Sequence, residues 1–232
     1  ILPVQLDARA ARAYQDRFEN AGVRFVLERK ASQAVCEPDG RIHKVILDNG
    51  EEIPCDLIIV AAGVRSSLGC LEGSGIACER GVTVDPSMKT SRKDVFAAGD
   101  ITALSGIWPN AADQGRVAGK SMCGLTAEYT DTYAMKNTMN FFGLVTLCVG
   151  RIREEEGDQV LVREDMRQYK KILLKNGKVE GILFQGDIAG GGIWQYLIKN
   201  KIDVSGIDKD VFDINYGDFY HVGDRGKYEW VV

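Results

Sequence analysis

Apolar side chains recur at helical spacing near the start of the chain, where Ala11, Tyr14, Phe18 and Ala21 fall on one face. Asp7 stands where an N-cap belongs and Gly22 where a left-handed C′ residue belongs, so the spacing predicts an amphipathic helix over 8–21. Stretches at 23–27, 31–36, 41–47 and 51–55 follow, punctuated by Asp39-Gly40 and Asn49-Gly50. Such dipeptides supply the positive φ angles of tight hairpins, and the pattern predicts a three-stranded antiparallel meander. Asp56-Leu-Ile-Ile-Val-Ala-Ala62 is apolar without alternation and ends at Gly63. That is the pattern of a strand covered on both faces in a largely parallel sheet. A short strand or two past Pro86 precede a second buried strand, Asp94-Val-Phe-Ala-Ala98, which stops at Gly99-Asp100. A helix is expected from about Asn110 to Gly124, packed through Ala112, Val117, Ala118 and Met122.

From Ala127 to Lys136 the chain turns polar and Thr-rich, which marks the boundary of a second unit. There, 138–149, 159–164, 168–174 and 179–185 read as strands, with Asn176-Gly177 as a type I′ hairpin turn between the last two. A helix over 192–199 completes an α+β unit with its helix at one side of an antiparallel sheet.

With 45% hydrophobic and 27% charged residues, the 232-residue chain can bury one or two ordinary cores. Thirty-three acids against 29 bases give a net charge of -4, which offers no footprint for nucleic acid or an anionic membrane surface. No stretch approaches the roughly 20 apolar residues of a membrane span. Six cysteines without a C-x-x-C pair, and only two histidines, His43 and His221, encode neither a zinc site nor a vicinal redox disulfide. Most of the thiols are therefore expected to be small buried side chains in a reducing cytoplasm. The chain starts at Ile1 without a signal-like segment and reads as a piece of a longer protein.

The most informative string is Val95-Phe-Ala-Ala-Gly-Asp100. It places an acid at the carboxyl end of a strand, where open α/β sheets bind ligands. A carboxylate there can accept a hydrogen bond from a ribityl or ribose hydroxyl, and Gly99 lets backbone approach the ligand. An isolated Gly-Asp more often only caps a turn; the context changes the balance. Ile107-Trp-Pro-Asn-Ala-Ala-Asp-Gln-Gly-Arg-Val-Ala-Gly119 opens a helix a few residues later, and its first N–H groups would favour negative charge on a reduced flavin ring.

Taken together, Phe96-Ala-Ala-Gly-Asp100 and Trp108-Pro-x-Ala-x-x-Gln-Gly-Arg-x-Ala-Gly119 resemble the second flavin-contact motif of FAD-dependent pyridine nucleotide-disulfide oxidoreductases. That superfamily includes NADH oxidases, rubredoxin reductases and nitrite reductases. Asp56 to Arg65 resembles the last strand of its inserted NAD-binding domain, although Ser66-Ser67 replaces the usual Pro-Asn, so only Gly63 is carried over. Residues 170–187 and the helix after them resemble the C-terminal domain of the rubredoxin-reductase branch. The resemblance implies an α/β fold with partial FAD/NAD(P)-binding, Rossmann-like domains followed by a small α+β domain. The corresponding parts are 1–65 (NAD(P)-binding), 66–130 (FAD-binding) and 131–232 (C-terminal). It further implies FAD and NAD(P)H as cofactors, a protein or small-molecule redox acceptor, and homodimer contacts through the C-terminal domain. The implied cofactor residues are Gly63, Gly99, Asp100, Ile101, Trp108, Pro109, Asn110 and Ala111, with no catalytic acid, base or nucleophile. The chain alone is expected to be inactive, because Gly73-Ser-Gly-Ile-Ala-Cys78 and Gly190-Gly-Gly192 are not dinucleotide fingerprints.

A second reading stays open: a non-catalytic oligomerisation or electron-carrier docking module resting on residues 138–232. A hydrolase or transferase is disfavoured, since no nucleophile elbow or nucleotide loop occurs. Glu154-Glu-Glu156 reads as a solvated loop, and His43 and His221 as surface or satisfied polar groups.

Overall fold

The computed structural model describes residues 1–131, 136–223 and 226–230. The chain divides into two compact units, one of residues 18–64 and one of residues 1–17 with 65–232. Helix α1 (Ala8–Asn20) has both predicted ends. The Asp7 carboxylate accepts from the Ala10 N–H at 3.0 Å. At the other end Gly22, at φ 88°, closes the helix by donating to the Glu19 carbonyl.

In the 18–64 unit, β1 (Ala31–Cys36), β2 (Ile42–Leu47) and β3 (Glu52–Pro54) form the expected antiparallel meander in the order β1-β2-β3. The side chains of Asp39 and Asn49 accept from the N–H groups of Arg41 and Glu51, so each turn is closed by its own first residue. The buried parallel strand expected over Asp56–Ala62 is not formed. Leu57, Ile59 and Val60 are 73%, 81% and 84% exposed. An apolar run becomes a strand only where another edge accepts its hydrogen bonds, and no described residues pair with this segment.

In the other unit, the second expected buried strand, Asp94–Ala98, is likewise absent. It folds back on residues 88–90 through one isolated bridge, Lys89 to Phe96, and leaves Val95 38% exposed. Every named sheet among the described residues is antiparallel. Helix α2 (Trp108–Met122) follows, beginning two residues earlier than predicted.

The C-terminal part is the expected α+β arrangement. Strands β4 (Lys136–Phe141), β5 (Leu144–Gly150), β6 (Gln159–Glu164), β7 (Tyr169–Lys175) and β8 (Lys178–Gln185) make one sheet in the order β4-β5-β8-β7-β6. The single strand expected over 138–149 is two, because Phe142 and Gly143 both take positive φ and make a hairpin turn. Asn176 and Gly177 do the same between β7 and β8, as predicted. Helix α3 (Gly192–Asn200) sets Ile193, Trp194, Leu197 and Ile198 against Val149, Ile172, Ile182 and Phe184. Beyond it β9 (Tyr220–Val222) and β10 (Tyr228–Trp230) form a short hairpin.

The opposite face of this sheet is covered by the first turns of α1, which the sequence had not indicated. The Tyr14 hydroxyl donates to the Leu144 carbonyl at 2.8 Å, the Gln185 amide to the Ala10 carbonyl at 3.2 Å, and the Tyr169 hydroxyl to Asp7 at 2.6 Å.

After β5 the chain turns on an ion pair whose carboxylate is covered and whose guanidinium is half-buried. Arg151 clamps Asp158 with two bonds of 2.5 and 2.8 Å, and the Glu155 N–H adds a third at 2.7 Å. The Arg151 guanidinium holds the Asp158 carboxyl at about 2, below its ordinary value of 3.8. A carboxyl lowered by folding stabilises the protein fully above its unfolded value and loses that contribution as pH falls through the folded one. About 2 kcal/mol of stability should therefore disappear between about pH 4 and pH 2. Asp158→Asn should remove that part of the acid dependence and lower stability at neutral pH, as urea unfolding measured across this range would show.

The expectation that most thiols are buried is not met. Cys148 is buried, which pushes its thiol up to about 11, while Cys36, Cys70, Cys78 and Cys123 are exposed and Cys55 is half-buried. The exposed thiols stand on turns, edges and helix ends that the cores do not reach. No helix among the described residues is long and apolar enough to cross a membrane.

Candidate functional site

The Gly99-Asp100 turn is built by the backbone. Gly99 sits at φ 83° and ψ -157°, a region open essentially to glycine alone. The chain then enters a single 3-10 turn over Asp100–Thr102. Space is not the reason for the glycine, since a Cβ there would meet only the Ala111 Cβ, at an ordinary 3.6 Å. That same distance shows how close the turn lies to the first turn of α2.

Two side chains lock the turn onto the helix. Gln114, fully buried, accepts from the Gly99 N–H at 2.7 Å and from the Thr102 hydroxyl at 3.2 Å. Thr102 also donates to the Gly99 carbonyl at 2.8 Å, and Ser66 donates to the Asp100 carbonyl at 2.6 Å. With its backbone held, Asp100 leaves its side chain exposed, and its carboxylate makes no hydrogen bond or ion pair with the described residues. Ile101 is half-buried and accepts from the Val82 N–H at 2.8 Å. Gly81 permits that approach, since a Cβ would lie 2.6 Å from the Ile101 carbonyl oxygen.

Helix α2 begins with Ile107 as N-cap, no side chain capping it, and a proline in its first positions. The first N–H groups are thus left for another acceptor. Trp108 is 82% exposed, Pro109 is exposed and Ala111 half-buried. Asn110 departs from the expectation of a ligand-facing side chain. It is 1% exposed, and its amide donates to the Tyr129 hydroxyl at 2.7 Å and accepts from Lys136 at 3.1 Å. Burial raises the Tyr129 hydroxyl above its ordinary range, partly offset by the amides of Gln114 and Asn110. Only the Asn110 backbone remains at the helix mouth. The packed face of α2 is therefore Asn110, Gln114 and Ala118, and Met122 is 61% exposed. The predicted apolar face is rotated because these two amides find buried partners.

Seven of the eight predicted residues, Gly99 to Ile101 and Trp108 to Ala111, gather at this end of α2. Gly63 lies in the 18–64 unit, at φ 96° with open space around it. The sequence motifs include Gln114 and Ser66 without a role for either, and nothing in them marks Thr102, Tyr129 or Asp131. The signal for Gln114 was its place four residues after Asn110, one helical turn along the same face. The segment expected as a polar boundary holds Tyr129 and Asp131 buried, while its residues 132–135 lie outside the described ones.

This arrangement fits the sugar-like chain and ring of a flavin: an exposed acid, backbone approach at a glycine, a bare helix N-terminus and an open indole. At Gly75 a Cβ would meet only the flexible end of Arg92 and at Gly191 it would lie 2.4 Å from Leu147, while Gly73 and Gly190 have open space around them.

Family comparisons agree with that architecture. Residues 1–115 match the family model described as pyridine nucleotide-disulphide oxidoreductase, and residues 136–202 match the rubredoxin NAD+ reductase C-terminal domain. The chain belongs to the pyridine nucleotide-disulphide oxidoreductase superfamily. It is 31% identical over 213 residues to an NADH-dependent phenylglyoxylate dehydrogenase subunit epsilon from Aromatoleum evansii, covering 86% of this chain and 50% of that one. It is 28% identical over 211 residues to a nitrite reductase [NAD(P)H] from Bacillus subtilis, covering 88% and 26%. A solved ferredoxin reductase from Rhodopseudomonas palustris shares the fold with a TM-score of 0.73 at 23% identity, covering 92% of this chain and 55% of that one. The chain thus spans about half of the first relative and about a quarter of the second.

Proposed function

We propose that the chain contributes the flavin-facing part of an NAD(P)H-dependent flavoprotein oxidoreductase that passes electrons to a redox acceptor, either a protein or a small molecule. The observation that carries this reading is the Gly99-Asp100 turn, fixed on α2 by Gln114 and Thr102 so that one carboxylate and one uncapped helix end face solvent side by side. A bound flavin would supply hydride acceptance from a nicotinamide and electron release to the acceptor. Asp100 would hold it by accepting from a ribityl hydroxyl, Gly99 and Ile101 would offer backbone contacts, and the first turn of the helix from Trp108 to Ala111 would offer its N–H groups. Gly63 belongs to the nucleotide-side contacts in this reading, with parts 1–65, 66–130 and 131–232 as the NAD(P)-binding, FAD-binding and C-terminal segments. The C-terminal sheet supplies dimer or acceptor contacts. By itself the chain holds FAD weakly in this reading, because neither of its glycine strings is a dinucleotide fingerprint.

Anaerobic titration, with NADH and NADPH, of the FAD-loaded oxidoreductase to which the chain contributes tests the reading. At least one should bleach the oxidised flavin band stoichiometrically. A flavin that neither nucleotide reduces would overturn it.

A further inference from the structure

A buried polar cluster joins the C-terminal sheet to the first turn of α2. Lys136, the first residue of β4, forms an ion pair with Asp131 and donates to the Asn110 side-chain oxygen at 3.1 Å. Asn110 in turn reaches the Tyr129 hydroxyl at 2.7 Å and the Asp131 carbonyl at 3.5 Å. The ionic side chains are 10% and 5% exposed, and the Tyr129 backbone is pinned to the Pro86 carbonyl at 2.8 Å. Buried charges interact with little screening, so an ion pair at this place is felt along the helix as two opposed charges of fixed position. The packing of α2 alone does not require such a pair: Ala118 and Val117 already meet Met88 and Tyr129 in a small apolar core.

We propose that Lys136 and Asp131 are positioning residues that set the electrostatic field at the α2 N-terminus, so that the C-terminal domain tunes the reduction potential of a flavin held there. The inference rests on the cofactor reading above. Lys136, on the strand side, favours the negative charge gained on reduction; Asp131 opposes it; Asn110 transmits the balance by holding the ammonium against the first helical turn. All three side chains are buried, at 1% exposed for Asn110, 5% for Asp131 and 10% for Lys136, so they act through the helix and not by contact.

The test is the flavin midpoint potential of the FAD-loaded protein, measured by equilibration with a reference dye, in Lys136→Met and Asp131→Asn. The two variants should move it in opposite directions, Lys136→Met downward and Asp131→Asn upward. Each shift should be about tenfold in the two-electron equilibrium, or about 30 mV. A purely structural role predicts loss of thermal stability in both with no opposed shift. Should Lys136→Met fail to fold, Asn110→Asp keeps the shape, adds a negative charge and should lower the potential. Shifts of the same sign, or none, would overturn the proposal. An Asp100→Ala control separates the levels: if FAD affinity is unchanged there, the cofactor reading falls with it; if affinity drops while the potentials stay put, the coupling alone is wrong.

Discussion

Replacing Asp100 with Ala should weaken FAD binding by about ten- to a hundredfold while leaving the fold intact. The carboxylate is exposed and makes no hydrogen bond or ion pair with the described residues, so its removal costs the native structure nothing that these residues show. What it would lose is a charge-assisted hydrogen bond to a ligand hydroxyl, worth about 1.5 to 3 kcal/mol, which is that range of affinity. Asp100→Asn keeps an acceptor and should lose less. The backbone turn remains in both variants, because Gln114, Thr102 and Ser66 hold it through main-chain groups. Fluorescence titration of apoprotein with FAD, paired with thermal melts, measures the two consequences separately. Equal affinity in wild type and Asp100→Ala would remove the residue from the site.

A larger effect, on stability, is expected at Trp194. It is 2% exposed and packs edge-on against Phe184, ring centroids 5.6 Å apart, at the centre of the contact between α3 and the sheet. Trp194→Ala deletes the largest buried side chain of that core and leaves a cavity that neighbours in regular strands cannot close. The cost should be about 3 to 5 kcal/mol. That is a large fraction of the stability of an ordinary domain. Urea unfolding should show a lowered midpoint with little change in slope. A loss below about 1 kcal/mol would mean that α3 does not hold the sheet as described.

The fold was legible wherever the signal is local. The Asp7 and Gly22 ends of α1, the Asp39-Gly40 and Asn49-Gly50 turns, and the Asn176-Gly177 hairpin all follow from residues that close their own hydrogen bonds or tolerate positive φ. What failed depended on distant partners. Residues 56–62 and 94–98 have the composition of buried strands, but composition cannot provide the neighbouring edge a strand requires, and Val60 ends 84% exposed. The docking of α1 on the C-terminal sheet was illegible for the same reason, since Tyr14 finds the Leu144 carbonyl 130 residues away.

At the candidate site the motif identified the place, and the structure reassigned some roles. Gly99, Asp100 and Trp108 stand together as the pattern implied. Asn110 turned inward, because its two-sided amide suits a buried position between a hydroxyl and an ammonium better than an open helix mouth. Gln114 became the lock on the glycine turn. Both belong to a polar stripe at helical spacing that a search for apolar faces passes over.

The most direct measurement is a crystal structure of the FAD-loaded protein. An Asp100 carboxylate oxygen should lie about 2.6 to 3.2 Å from a ribityl hydroxyl, with the ring edge at the Trp108 end of α2. A flavin bound elsewhere, or a carboxylate that reaches only solvent while the ring sits away from that helix end, would contradict the assignment.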